Sequence, residues 1–201
     1  MDDTDRAVRL VSAATVFAPA ELWPRIKAFA VDYLFIAAYL IALTGAVAGL
    51  RLTPLRRTFA TVYGNPYSAQ LTDALLFDAP VMLYFALFEA SHWQATPGKR
   101  RIGLRVVTNT GARLSLPRAL ARIVLKFLPW EIAHTSIWHT PGWPAQAKPT
   151  PLNYVAYGSV YALAAVYIVS LLTSHARQPL YDRLTHTRVI HAPRSLAAAQ
   201  R

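Results

Sequence analysis

Long apolar stretches alternate with basic segments along most of this chain. Three stretches, residues 26–50, 75–93 and 154–172, are each long enough to cross about 30 Å of hydrocarbon as a helix that rises about 1.5 Å per residue. A fourth stretch, residues 116–137, has a similar length but carries charged side chains. The pattern predicts an all-α membrane protein.

The charged fourth stretch has two interpretations. Arg118, Arg122 and Lys126 follow one another at intervals of four residues and therefore form one cationic stripe on a helix. Such a stripe is typical of a helix that lies in the membrane interface. The other interpretation, which the distribution of charge favours, is a third crossing of four. We expect four transmembrane helices, with three crossings and one interfacial helix as the alternative.

Positive charge is distributed unevenly between the loops. The formal net charge is +11 while 54% of the residues are hydrophobic, which does not suit a disordered chain. Eight of the 21 Lys and Arg residues lie in residues 94–126, but only one lies in residues 138–153. Since positive loops mark the cytoplasmic side, we predict a multi-pass protein of the inner (cytoplasmic) membrane with both termini in the cytoplasm. The cations flank apolar runs, so no nucleic acid partner is predicted.

A short polar segment separates the second and third predicted crossings. Ile102, Leu104 and Val106 alternate with other residues and are followed by Asn109-Thr110-Gly111. This order is typical of a β-hairpin, which we place on the cytoplasmic surface. The chain accordingly has three parts, a cytoplasmic N-terminal tail, a transmembrane domain and a cytoplasmic C-terminal tail, over residues 1–22, 23–190 and 191–201.

Several charged residues fall inside the predicted crossings. A charge at the membrane centre costs about 2.5 to 3.5 kcal/mol on insertion scales, so each one is expected to be paired or near water. Asp32, Glu89 and Arg122 lie about 9, 6 and 9 Å from the cytoplasmic ends of their helices, which predicts one cytoplasm-facing polar cluster. Arg25 lies on the same helix face as Asp32 but leans outward, so we expect it near the headgroups or near Asp182.

This polar cluster has two interpretations as well. In the first, Asp32 alternates between a proton and a transported cation while Arg122 or Arg25 tunes its affinity for the proton. In the second, Asp32 and Arg122 form a buried ion pair that orders the helices and binds nothing. The residues alone leave both open.

No metal or cofactor site is predicted. Glu89 with His92, and Glu131 with His134, have the Glu-x-x-His spacing of a carboxylate di-metal bundle. The two pairs would lie about 16 Å apart along the membrane normal, so we reject that site and expect lone surface histidines. The chain has no cysteine and no Ser, His and acid arrangement typical of hydrolases. We therefore expect that the protein is not an enzyme.

Three smaller features carry predictions of their own. Residues 96–100, TPGKR, lack the spacing of a phosphate loop and are expected to form a turn with basic residues at the headgroups. Gly45 and Gly49 have the spacing that lets two membrane helices approach closely, either within one molecule or in a homo-oligomer. Asp78, near the outer end of the second crossing, is expected to be a local polar cap.

Three stretches together resemble a known family. PRIKAFAVDYLFI (residues 24–36), YFALFEASHWQATPGKRRIGLRVVTNTGARLSLPRALAR (84–122) and RQPLYDRLTHTRVI (177–190) are similar to the RDD family of small bacterial integral membrane proteins. The family takes its name from one arginine and two aspartates, which Arg25, Asp32 and Asp182 match here. The resemblance implies transport, and specifically the sodium or proton antiport associated with some members.

Together, these observations predict a transporter of RDD type. The expected activity is cation (sodium)/proton antiport through the polar cluster, whose members are Arg25, Asp32, Glu89, Arg122 and Asp182. The alternative is a non-transporting membrane scaffold or partner subunit in which an Asp32–Arg pair is structural. The expected partners are a bilayer with anionic lipids, sodium ions or protons, and a second copy of the chain, since four helices are few for a transporter.

Overall fold

Helices and one small sheet make up residues 18–192, the part of the chain that the computed structural model describes. The elements in chain order are α1 (Leu22–Arg51), α2 (Arg56–Tyr63), α3 (Pro66–Asp73), a π-helical turn (Ala74–Asp78), α4 (Ala79–Ala90), α5 (Pro97–Ile102), β1 (Leu104–Thr108), α6 (Leu116–Trp138), α7 (Pro151–Thr173), α8 (Leu180–Leu184) and β2 (Thr187–His191).

Three helical segments of the described residues are long and apolar enough to cross a membrane. They are Leu22–Arg51, Pro66–Ala90 and Pro151–Thr173, with 30, 25 and 23 residues. The second segment joins α3, the π-helical turn and α4 into one run. Only 6%, 17% and 6% of the most apolar window of each segment is buried in the protein. A surface this apolar is suited to lipid and not to water, so this is a membrane protein with several apolar helices.

The fourth predicted stretch also forms a helix. α6 has 23 residues, the same length as α7. Because it carries more charged side chains, it is not among the three helical segments that are apolar enough to cross a membrane. It packs against both α4 and α7. The structure thus shows a bundle of three apolar helical segments and one charged helix.

The predicted β-hairpin is wrong in its second strand. β1 forms where the alternation places it, and Gly111 turns the chain with a positive φ of 86°, which favours glycine. The partner of β1, however, is β2 near the carboxyl end, with Val106 opposite Val189 in an antiparallel register. An alternating pattern identifies a strand that buries one face, but not the segment that pairs with it.

The small sheet brings the two ends of the described chain next to each other. The Ala20 N–H donates to the Val189 carbonyl at 2.9 Å, and the His191 N–H donates to the Ala18 carbonyl at 3.0 Å. β2 therefore lies between β1 and the segment that leads into α1. As a result, the start of α1, the end of α4 and all of α5 and α8 meet at one end of the bundle.

A continuous apolar core joins the sheet to the helices. Leu104, Val106 and Val189 from the strands are buried in the same cluster as Phe85 of α4 and Ile123 of α6. This core fixes the positions of the helix ends that carry the polar residues described below.

Gly45 and Gly49 do not serve packing within the described part of the molecule. A Cβ atom built on either glycine would meet no atom within 4 Å. The homo-oligomer interpretation of their spacing stays a prediction.

Candidate functional site

Asp32 is buried in α1 and is held by neutral donors. It is 1% exposed. Its carboxylate accepts hydrogen bonds from the Tyr84 hydroxyl at 2.9 Å, the Gly98 N–H at 2.7 Å and the Thr96 hydroxyl at 2.5 Å. An ionised carboxylate only accepts hydrogen bonds, so three donors satisfy it without a cation. The predicted Asp32–Arg122 pair is therefore wrong: among residues 18–192, the ion-pair partners of Arg122 are other carboxylates.

The donors reach Asp32 because the amino end of α5 lies directly against α1. A Cβ atom on Gly98 would lie 2.1 Å from the Ala28 carbonyl oxygen and 2.7 Å from the Asp32 Cγ, so only glycine permits this approach. Thr96 caps α5 by accepting from the Lys99 N–H. The TPGKR turn is thus a docking element, and the prediction that its basic residues lie at the headgroups is wrong for Lys99, which is buried.

A second group of buried charges lies beside Asp32. The Arg122 guanidinium donates from Nη1 to Glu89 Oε2 at 2.6 Å and from Nε to Asp182 Oδ1 at 2.7 Å. Arg25 Nη1 lies 3.4 Å from Asp182 Oδ2, and the Lys99 ammonium donates to Glu89 Oε1. We name this group, Arg25, Glu89, Lys99, Arg122 and Asp182, the arginine–carboxylate network.

Every carboxylate oxygen of the arginine–carboxylate network has a cationic partner. Glu89 and Asp182 are fully buried, and Arg122 is 2% exposed. The Thr187 hydroxyl adds a further hydrogen bond to Asp182 Oδ1 at 3.1 Å. Buried ion pairs of this kind persist only when good geometry and additional hydrogen bonds offset the loss of hydration. The arrangement ties five helices, α1, α4, α5, α6 and α8, to the start of β2 and leaves none of these carboxylate oxygens without a cation.

Tyr181 covers one side of the arginine–carboxylate network. Its ring centroid lies 5.4 Å from the Arg122 guanidinium carbon, within the range of a cation–π contact. Burial and the adjacent Asp182 carboxylate raise the pKa of the Tyr181 hydroxyl to about 12. The hydroxyl therefore stays neutral and adds no charge to the network.

The structure brings together four of the five predicted site residues. Arg25, Glu89, Arg122 and Asp182 share one network, and the expectation that Arg25 lies near Asp182 is confirmed. Asp32 is not part of this network and is held separately by hydrogen bonds from Tyr84, Thr96 and Gly98. Lys99 was missed, since its place in a basic turn gives no signal that separates a buried lysine from an exposed one.

A different group of ionisable residues surrounds His134 near the other end of α4. His134 Nδ1 lies 3.4 Å from Asp73 Oδ2 and 3.5 Å from Asp78 Oδ2. Asp78 Oδ1 also accepts from the Trp130 indole N–H at 2.8 Å. We name Asp73, Asp78, Glu131 and His134 the His134 cluster. Two predictions are wrong here, because His134 is not a lone surface histidine and Asp78 contacts another helix instead of capping its own.

A local irregularity of the helix produces this arrangement. Asp73 and Asp78 are five residues apart: Asp73 immediately precedes the π-helical turn Ala74–Asp78, and Asp78 is its last residue. The i→i+5 spacing of a π-helix places both aspartates on the same side, whereas five residues of α-helix would turn them apart. One ligand atom from each of Asp73, Asp78 and His134 lies within 4.8 Å of the others. Two carboxylates and an imidazole at this spacing are able to contact a single cation.

The His134 cluster faces a cavity and is incompletely hydrogen bonded. The cavity has a volume of about 410 Å³ and lies between α1, the second apolar segment and α6, with Asp73, Asp78 and His134 in its wall. Within residues 18–192, Glu131 Oε1 is a buried atom without a hydrogen-bond partner, and the contacts of His134 Nδ1 with the two aspartates are long. Buried polar atoms are seldom left in this state, so this cluster differs from the arginine–carboxylate network.

Comparison with known proteins gives one decisive match. The model of the RDD family matches residues 19–186. The chain belongs to the RDD family. Within this RDD protein the matched residues include Asp32, the whole arginine–carboxylate network and the His134 cluster, and they end just before β2. No curated protein and no solved structure shows a significant match.

Proposed function

We propose that this RDD protein is a sodium/proton antiporter whose exchanging groups are those of the His134 cluster. The observation that carries the proposal is that two aspartates and one histidine, Asp73, Asp78 and His134, line a cavity of about 410 Å³ with only long contacts between them. The neighbouring Glu131 Oε1 has no hydrogen-bond partner among the described residues. Asp32 and the arginine–carboxylate network then hold the helices in place. The proposed exchanging site therefore differs from the cluster that the sequence favours. It lies about 16 Å away along the second apolar segment, since Asp78 precedes Glu89 by eleven residues.

The chemistry of the His134 cluster suits exchange between protons and a small cation. Two aspartates brought within 4.8 Å of one imidazole nitrogen repel each other unless positive charge lies between them. A proton on His134 or on a carboxylate supplies that charge, and so does a metal cation bound by carboxylate oxygens. The two ligands therefore compete for the same site, which is one requirement for antiport. Ionisable groups inside a membrane bundle are typical of such relays.

The transport proposal includes a topology. We place α6 across the membrane as the third of four crossings, because its 23 residues span about 35 Å. Both termini are then cytoplasmic in the inner membrane, and the arginine–carboxylate network lies toward the cytoplasm. The His134 cluster lies toward the opposite side. A cysteine-accessibility experiment with reporter cysteines at Arg113 and Lys148 tests the assignment, since the two should be labelled from opposite sides.

The second candidate function is a non-transporting membrane scaffold. The observation in its favour is that the residues that give the family its name are fully paired or hydrogen bonded, so none of them is available to bind a passing ion. Gly45 and Gly49 would then serve contact with a second copy or another membrane protein.

Flux measurements in proteoliposomes separate the two functions. Purified protein is reconstituted with a pH-sensitive dye inside, and a sodium gradient is applied. We expect sodium-driven proton movement in the wild type and its loss in Asp78→Asn and His134→Gln. Glu21→Gln and His92→Gln, which change exposed residues of the same types, are the matched controls and should retain it.

Two results would count against the antiporter. Wild-type flux in folded Asp78→Asn and His134→Gln protein would exclude the His134 cluster as the exchanging site. No flux in the wild type with sodium, potassium or lithium would favour the scaffold.

A further inference from the structure

A second cavity lies on the other side of Phe29 from the His134 cluster. It has a volume of about 620 Å³ and is bounded mainly by α1, α6 and α7. Most of its wall is apolar, including Phe29, Ala164 and Leu171. Ile26 and Ile168 also belong to the wall and are 44% and 50% exposed. The cavity therefore opens between α1 and α7, on the apolar surface that lipid covers.

One cation in this cavity has no carboxylate of its own. Lys126 lies in the cavity wall, with its Nζ 4.5 Å from the Phe85 ring centroid and 5.7 Å from that of Phe29. Arg25, Lys99 and Arg122 also line the cavity, but each of them pairs with Glu89 or Asp182. Within residues 18–192, no carboxylate lies within ion-pair distance of Lys126.

The charges around the cavity therefore do not balance. Among the described residues, four cations line it. Glu89 and Asp182 pair with three of them, and Asp32 is the one further acid in the cavity wall, held by neutral donors. The aromatic rings beside Lys126 stabilise its ammonium group from two sides but supply no negative charge. An ammonium at this depth of a membrane bundle is expected to have a partner.

We propose that this cavity binds an anionic phospholipid, with the lipid phosphate at Lys126 and an acyl chain along Ala164, Ile168 and Leu171. The shape and the charge point to the same ligand. A small hydrophilic anion would lose its hydration against walls that are mostly apolar and gain little in return. A zwitterionic lipid such as phosphatidylcholine would fill the apolar part, but its own ammonium group balances its phosphate and leaves the positive charge of the cavity uncompensated. A phosphate attached to an acyl chain satisfies both ends of the cavity.

Lipid titration followed by native mass spectrometry tests the proposal. Purified full-length protein in detergent is titrated with phosphatidylglycerol and, separately, with phosphatidylcholine that has the same acyl chains. We expect the wild type to bind phosphatidylglycerol about fivefold more tightly than phosphatidylcholine, the effect of one ammonium near a lipid with a net negative charge. Lys126→Gln should abolish this preference and Lys126→Arg should retain it. Inorganic phosphate should not displace the lipid.

Two matched controls keep the test specific. Arg118→Gln removes the same charge from an exposed position of the same helix and should leave the lipid preference unchanged. If Lys126→Gln fails to fold, Ala164→Phe fills the cavity without changing charge and should weaken the binding of both lipids, whereas Ala165→Phe, on the exposed side of α7, should not.

Three results would overturn the proposal. They are equal wild-type affinity for the two lipids, an equal loss of preference in Lys126→Gln and Arg118→Gln, and displacement of phosphatidylglycerol by inorganic phosphate, which would indicate a site for free anions. None of them depends on whether the protein transports cations.

Discussion

Two groups of ionisable residues in the same bundle differ in how completely they are paired. In the arginine–carboxylate network each carboxylate oxygen of Glu89 and Asp182 contacts a cation, and a threonine hydroxyl adds a further hydrogen bond. In the His134 cluster two aspartates share one imidazole, and Glu131 Oε1 has no hydrogen-bond partner within the described residues. The carboxylates of the arginine–carboxylate network are completely paired, and those of the His134 cluster are not.

This difference in pairing indicates which of the two groups is expected to exchange ions in this RDD protein. Buried charges that are completely paired resist any change of charge state, because altering one member leaves its partner unpaired at low dielectric. A cluster with too few partners responds to protons and cations. We therefore expect the residues that name the family to hold the fold, and the chemistry to lie at residues that the family name does not mention.

The largest effect on stability is expected from Arg122→Gln. This change leaves Glu89 and Asp182 buried with one cationic partner fewer each, and the free energy of unfolding should fall by about 3 to 5 kcal/mol. Denaturant or thermal unfolding in detergent micelles measures it. Arg118→Gln, at an exposed position about one helical turn earlier, is the matched control and should cost less than about 0.5 kcal/mol. Equal stability of the two variants would remove the contrast between the groups.

Gly98→Ala is expected to have the next largest effect. Its Cβ would clash with the backbone of α1 at Ala28, which has no freedom to move aside, and overpacking of this kind costs about 1 to 3 kcal/mol. The same unfolding experiment checks it. Gly158→Ala, in α7 with open space around the new methyl group, should leave stability unchanged or slightly raised. If Gly98→Ala behaves like Gly158→Ala, the close docking of α5 on α1 is not required.

Asp32→Asn should destabilise the fold moderately. One oxygen acceptor becomes an amide donor and faces a donor of Tyr84, Thr96 or Gly98, which costs about 1 to 2 kcal/mol. Proton flux in proteoliposomes, measured on the folded fraction, should stay near the wild-type level because Asp32 holds α5 and does not carry the ion. Complete loss of flux in a stable Asp32→Asn protein would return the exchanging site to Asp32.

His134→Gln should have the smallest effect on stability and a large effect on flux. His134 Nδ1 contacts Asp73 and Asp78 only at 3.4 and 3.5 Å, and a proton on either aspartate removes their repulsion when the imidazole is absent. Its replacement should therefore change the free energy of unfolding by less than about 1 kcal/mol. A loss of stability as large as that of Arg122→Gln would show that the His134 cluster is structural too, and the two groups would no longer differ in kind.

Much of the architecture follows from the sequence pattern, and the predictions that the structure contradicts failed for physical reasons. The apolar stretches predict the three spanning segments, and helix depth predicts that Glu89 and Arg122 meet. Depth alone cannot say which acid Arg122 contacts, because that depends on how the helices rotate, and Asp32 takes neutral donors from α5 instead. The π-helical turn that aligns Asp73 with Asp78 has no signal in an apolar pattern read at 3.6 residues per turn.

The pairing of β1 could not be inferred for a similar reason. Alternation in residues 104–108 and the turn at Gly111 are both present. The strand nevertheless pairs with β2, more than 70 residues later in the chain. Local pattern favours the nearest partner, whereas the buried core of Leu104, Val106 and Val189 selects the distant one.

A double-mutant cycle across Glu89 and Arg122 tests the central claim most directly. The free energy of unfolding is measured in micelles for the wild type, Glu89→Gln, Arg122→Gln and the double variant. If these residues form a fixed structural pair, the double variant should be more stable than the sum of the single losses predicts, by about 2 kcal/mol. Losses that add to within about 0.5 kcal/mol would show that the two residues do not stabilise each other, and would contradict a structural role for the arginine–carboxylate network.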